Sequence, residues 1–82
     1  MPAYHYRAEV LALLSRHGVS PATATPPSLV HEFVSALYRF ELRRLRDRLR
    51  RNEIPRIGYA DRVVALRRRY PLASLAPDRW VE

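Results

Sequence analysis

Apolar positions along the chain recur with a helical period in three separate stretches. In the first, Tyr6, Val10, Leu13, Leu14 and His17 share a face and Gly18 follows as a left-handed terminator, which predicts a short amphipathic helix over residues 3–17. In the second, Leu29, Phe33, Leu37 and Phe40 make one stripe, and Val30, Val34, Tyr38, Leu42, Leu45 and Leu49 make another. Thr25 is placed to cap this helix with Pro26 at its first position, where a missing N–H costs nothing. Pro55 disfavours helical geometry at Ile54, so the helix is expected over about 26–52, roughly 40 Å long at 1.5 Å per residue. In the third stretch Tyr59, Val63, Leu66 and Tyr70 recur at i, i+4, i+7 and i+11, predicting a helix over 58–70 that Pro71 stops.

Two stripes on the first half of the long helix predict a segment wedged between two neighbours. The second half offers only the seam of Tyr38, Leu42, Leu45 and Leu49, onto which the third helix can fold back antiparallel. The connector over 19–25, VSPATAT, is expected as an ordered loop. The tail over 71–82 is expected to add one short turn near Pro77, with Trp80 as a plug in the core. With two Gly in the chain and no Asn-Gly or Asp-Gly pair to turn a hairpin of strands, the expected fold is all-α. It is a small three-helix single domain over 1–82, with a long central helix and a C-terminal αα-hairpin.

Length sharpens this picture. A chain of 82 residues buries only about 60% of the surface its unfolded form exposes, and without Cys no disulfide can reinforce it. No segment approaches the roughly 18 apolar residues of a membrane span, and the Val10 to Leu14 run follows Glu9, unlike a secretory leader. A cytoplasmic location is therefore expected.

The region Leu42 to Leu66, LRRLRDRLRRNEIPRIGYADRVVAL, resembles the short helical-hairpin domain known as SHOCT, in which a helix meets a Gly-x-Ile-Thr turn and an aromatic precedes a Leu by seven. Tyr59 and Leu66 keep that spacing, whereas Asn52 stands where Gly is usual, Pro55 where Thr is usual, and Gly58 replaces an acidic residue. The resemblance covers about a third of the chain and implies interaction or oligomerisation rather than catalysis.

Charge points in a compatible direction. All fifteen basic residues are Arg, against eight acidic ones, giving a net charge of +7. Part of this bias is what a GC-rich genome produces unaided. Even so, Arg39, Arg43, Arg46 and Arg50 recur at i, i+4, i+7 and i+11, and Arg44, Arg48 and Arg51 run beside them. Arg62, Arg67, Arg68 and Arg69 of the third helix join them if the hairpin closes, leaving the amino-terminal half nearly neutral. An ordinary solvated face, with Asp47 paired to Arg43, Arg44, Arg50 and Arg51, accounts for the same residues. The excess of Arg favours a binding role, because guanidinium grips phosphate or carboxylate bidentately and uncompensated like charge weakens a fold.

Other chemistry is thinly represented. His5, His17 and His31 share no metal-ligand spacing, and a His near a helix C-terminus answers the helix dipole, so no metal is expected. Ser15, Ser20, Ser28, Ser35 and Ser74 sit in no nucleophile motif, and Gly is too scarce for a phosphate loop. By analogy with chorismate mutases, a helical enzyme could clamp a dicarboxylate with Arg, but the chain lacks Lys and Gln and its first helix is short. The expected function is a non-enzymatic module that binds nucleic-acid phosphates with low sequence specificity and needs no cofactor. Arg43, Arg46, Arg50, Arg62 and Arg69 are expected to lead the binding. The alternative is an interaction or oligomerisation subunit whose basic helix binds an acidic protein, with a homodimer among the options.

Overall fold

The structure is a computed structural model describing residues 3–82. It contains three α-helices, α1 (Ala8–Ser15), α2 (Pro27–Arg50) and α3 (Tyr59–Arg69), followed by 3₁₀ turns at Pro71–Ser74 and Pro77–Arg79. Among the described residues there is no strand, only one isolated antiparallel bridge between Tyr6 and Val81. The all-α class expected from periodicity is the class observed, and among the described residues no helix is long and apolar enough to cross a membrane.

α1 is shorter than the predicted 3–17 because tertiary bonds claim its beginning. Arg7 N donates to Trp80 O at 2.9 Å and Glu82 N to His5 O at 2.9 Å, so residues 5–7 run extended beside the C-terminal tail. The Tyr6 hydroxyl donates to Thr25 O at 2.7 Å, tying the same segment to the connector. Gly18 terminates the helix at φ 73° as its sequence position predicts, with Val19 N bonded to Leu14 O and Gly18 N to Ser15 O. The connector is likewise held: Tyr4 N donates to Thr23 O, and Ala22 N to the Thr25 hydroxyl at 3.1 Å. That last bond turns the Thr25 side chain backwards, so the N-cap of α2 shifts to Pro26 and Pro27 takes the first helical position.

α2 is unbroken and ends in a Schellman motif, with Glu53 N bonded to Arg48 O and Asn52 N to Leu49 O. Asn52 supplies the required left-handed φ of 60°, which Asn tolerates better than most residues. Gly58, at φ 88°, is the corresponding pivot into α3.

Val10 and Leu14 of α1, Val30 and Val34 of α2, and Leu66 and Tyr70 from the end of α3 meet Leu72 and Trp80 in one core. Trp80 is fully buried, its indole N–H donates to Leu75 O at 3.1 Å, and His31 meets its ring edge-on. The expected plug is therefore present, and two 3₁₀ turns rather than one deliver it. His17 stacks flat on Tyr70 at 4.4 Å, so aromatic packing supplements any helix-dipole role for that imidazole.

The core occupies one end of an elongated molecule measuring 51 × 19 × 17 Å. Beyond it the second half of α2 and the first half of α3 project as a two-helix hairpin. Leu42, Leu45, Leu49, Tyr59 and Val63 line its seam, all only half-buried. Because Leu45 retains solvent contact, Leu45→Ala should cost roughly 1–2 kcal/mol rather than the 2–5 of a sealed site. Denaturant unfolding will measure this, and a loss below about half a kcal/mol would mean the seam contributes nothing.

The other stripe of α2 departs most from expectation. Leu29, Phe33 and Phe40 are 59%, 55% and 50% exposed, so the first half of the helix has one covering neighbour face, not two. α1 is too short and the tail too small to wrap both sides of α2.

Tyr70 couples the core to the hairpin by donating its hydroxyl to Glu41, while Arg69 reaches the same carboxylate at 4.0 Å. Burial first, and then the bond to Glu41, push the Tyr70 phenol up to about 12 from an ordinary 10.0. A raised pKa means that its stabilisation is complete below pH 10 and is lost as pH climbs through about 12. Melting temperature should accordingly fall between these values, and Tyr70→Phe should shrink that fall while costing about 1 kcal/mol at neutral pH.

Candidate nucleic-acid interface

The hairpin concentrates the charge of the molecule. Residues 39–69 carry twelve Arg against four carboxylates, a net +8, while the rest of the chain sums to −1. All eleven sequence-predicted positions, Arg39, Arg43, Arg44, Arg46, Arg48, Arg50, Arg51, Arg62, Arg67, Arg68 and Arg69, are exposed. Arg56 in the turn between the helices is exposed as well and belongs to the same field, although it lies outside any helical stripe. Only its placement at the tip of the hairpin reveals it.

These Arg do not share a face. At about 100° per residue, Arg39, Arg43, Arg46 and Arg50 fall on one flank of α2 and Arg44, Arg48 and Arg51 on the other. α3 docks between the two rows and makes each the wall of a separate groove. One groove, of about 530 Å³, is lined by Arg39, Arg43, Arg46, Leu42, Tyr59 and Val63. The opposite groove, of about 570 Å³, has Arg44 and Arg48 on one wall and Arg62 and Arg69 on the other, with Glu41 among them. Arg43 and Arg46 therefore line a different groove from Arg62 and Arg69, and the five residues expected to lead the binding are divided between the two sides of the hairpin.

The two grooves differ in how their charge is compensated. Arg48 and Arg51 both approach Glu53, at 3.8 and 3.5 Å, and Arg69 approaches Glu41. Arg44 lies 5.9 Å from the centre of the Phe40 ring, a cation–π distance. Arg39, Arg43, Arg46 and Arg50 enter no ion pair among the described residues, and no carboxylate lines the groove beside them. The Asp47 pairings that would have made this an ordinary solvated face are not formed. Its position on the back of α2, away from α3, leaves its carboxylate beside both rows and, among the described residues, in an ion pair with neither.

Tyr59 gives this side an aromatic surface, half-buried in the groove floor next to Leu42 and Val63. Tyr6, Tyr38 and Tyr70 are occupied in packing or hydrogen bonds nearer the core. Among the described residues, no three His, Asp or Glu side chains gather as a metal-binding set. The chain matches no protein-family profile, no curated protein and no solved structure.

Proposed function

We propose that the α2–α3 hairpin binds nucleic-acid phosphates with little sequence specificity, along the flank formed by Arg39, Arg43, Arg46 and Arg50. One observation carries this reading: the four guanidinium groups along one flank lack a carboxylate partner among the described residues, while Arg on the other side of the hairpin are partly neutralised by Glu53 and Glu41. Unpaired like charge at this density opposes folding and is offset when polyanion binding releases counterions. Arg also presents the planar fork that phosphate oxygens accept. Tyr59 in the groove floor offers a stacking face, which suits an unpaired base and requires no particular sequence.

Arg62 and Arg69 act in this reading as part of the wider field rather than as direct contacts. The protein works as a non-enzymatic cytoplasmic module without a cofactor. The resemblance of residues 42–66 to SHOCT-type hairpins supports a partner-binding role of the same non-catalytic kind.

The test is a titration of labelled single-stranded DNA, duplex DNA and RNA of mixed sequence, followed by anisotropy at 100 mM salt. Binding at micromolar protein or tighter, with similar affinity across sequences, is the expected result. Failure to bind any of the three would discard the nucleic-acid reading and favour an acidic protein surface as the partner.

A further inference from the structure

The uncovered stripe of α2 has the spacing of a helix-pairing seam. Leu29, Phe33, Ala36 and Phe40 follow steps of four, three and four, the a/d rhythm by which two helices pack knobs into holes. Leu29, Phe33 and Phe40 are each half or more exposed, and the stripe lies well away from the face that Val30 and Val34 bury in the core. Between Phe33 and Phe40 it carries Ala36, a residue small enough to let a second helix approach closely.

We infer that a second copy of this chain docks here, with its α2 antiparallel and the two-fold axis beside Ala36. Charge selects both the occupant and the direction. Along one edge of the stripe the amino-terminal half carries Glu32 and the carboxy-terminal half carries Arg39 and Arg43. A two-fold axis at Ala36 brings Glu32 of one copy against Arg39 and Arg43 of the other, twice over, and stacks Phe33 on the opposing Phe40. A parallel pair would instead set this edge against the opposite edge of the stripe, where Leu37 and Arg44 lie, and would leave Glu32 with no basic partner. The same axis places both Arg rows on one face of the dimer, where Arg46 and Arg50 of each copy stay clear of Glu32 and extend the interface proposed above. The dimer itself rests on the stripe and its flanking charges and does not depend on nucleic-acid binding.

The experiment uses the full chain, measured by sedimentation equilibrium from 1 to 100 µM on the order of magnitude typical for transient and stable pairs. Wild-type protein should approach twice the monomer mass. Phe33→Glu should remain at the monomer mass with an unchanged helical signal, because Phe33 contributes nothing to the buried core. Since the chain lacks Cys, single substitutions can report the register. Ala36→Cys should form a disulfide-linked dimer on mild oxidation, whereas Leu29→Cys, with its two thiols about 20 Å apart in this arrangement, should not. A monomeric wild type at the highest concentration would overturn the inference. So would a dimer that Phe33→Glu leaves intact, or equal cross-linking at both positions.

Discussion

Trp80→Ala is expected to bring the protein to the edge of unfolding at ordinary temperatures. The side chain is fully buried, its N–H is bonded to Leu75 O, and its carbonyl accepts from Arg7 N, so it joins the tail to the amino-terminal segment and to α2 through His31. Removing a buried Trp side chain costs about 3–5 kcal/mol. A domain of this length has about 4–12 kcal/mol in total, at roughly 0.05–0.15 per residue. The corresponding drop in melting temperature is on the order of 20 °C. Circular dichroism melts will measure it, with Trp80→Phe as a milder comparison that keeps an aromatic ring and loses the N–H. A loss under about 1 kcal/mol would show that the tail is not part of the cooperative unit.

The largest functional effect is expected from the flank of α2 that lacks carboxylates. Four phosphate contacts by Arg39, Arg43, Arg46 and Arg50 give a log–log salt slope of about −3.6 on duplex DNA, hence a loss on the order of 10² in affinity between 50 and 200 mM salt. Changing Arg43, Arg46 and Arg50 together to Gln should flatten that slope by about three units. The matched triple change of Arg44, Arg48 and Arg51 should flatten it by about one unit or less, because two of those side chains already face Glu53. Both variants should fold, since all six residues are exposed. Equal effects from the two triples would mean that the hairpin binds as a diffuse positive body and that no flank is preferred.

Much of this was readable along the chain. Periodicity located α2 and α3, Gly18 and Pro71 ended α1 and α3 where they stand, and the i, i+4, i+7 spacing sorted the Arg of α2 into two rows. These signals are local: helix period, the left-handed tolerance of Gly, and the missing N–H of Pro act within a few residues whatever else the chain does. Trp80 was legible as a plug for a related reason, since a single large apolar ring in a short tail that also carries Leu72 and Leu75 has little else to do.

Other features depended on which surfaces meet. The first turn of α1 was surrendered to bonds with Thr25, Trp80 and Glu82, partners up to 77 residues away that no local pattern could name. Thr25 had the chemistry of an N-cap, yet its hydroxyl was taken by Ala22 N. Two apolar stripes on α2 were plain in the sequence, but only the amount of chain left to pack decides which is covered. α1 and the tail sufficed for Val30 and Val34 and left Leu29, Phe33 and Phe40 open.

The division is sharpest at the Arg. Their number, type and spacing follow from the sequence alone, and so does the basic character of the hairpin. Which guanidinium groups remain unpaired does not, because it depends on α3 settling between the rows and on the Schellman turn carrying Glu53 to one side of α2. Short-range stereochemistry chose the helices and the rows into which their Arg fall, whereas packing between elements distant in sequence chose the neighbours, and with them the flank left without counter-charge.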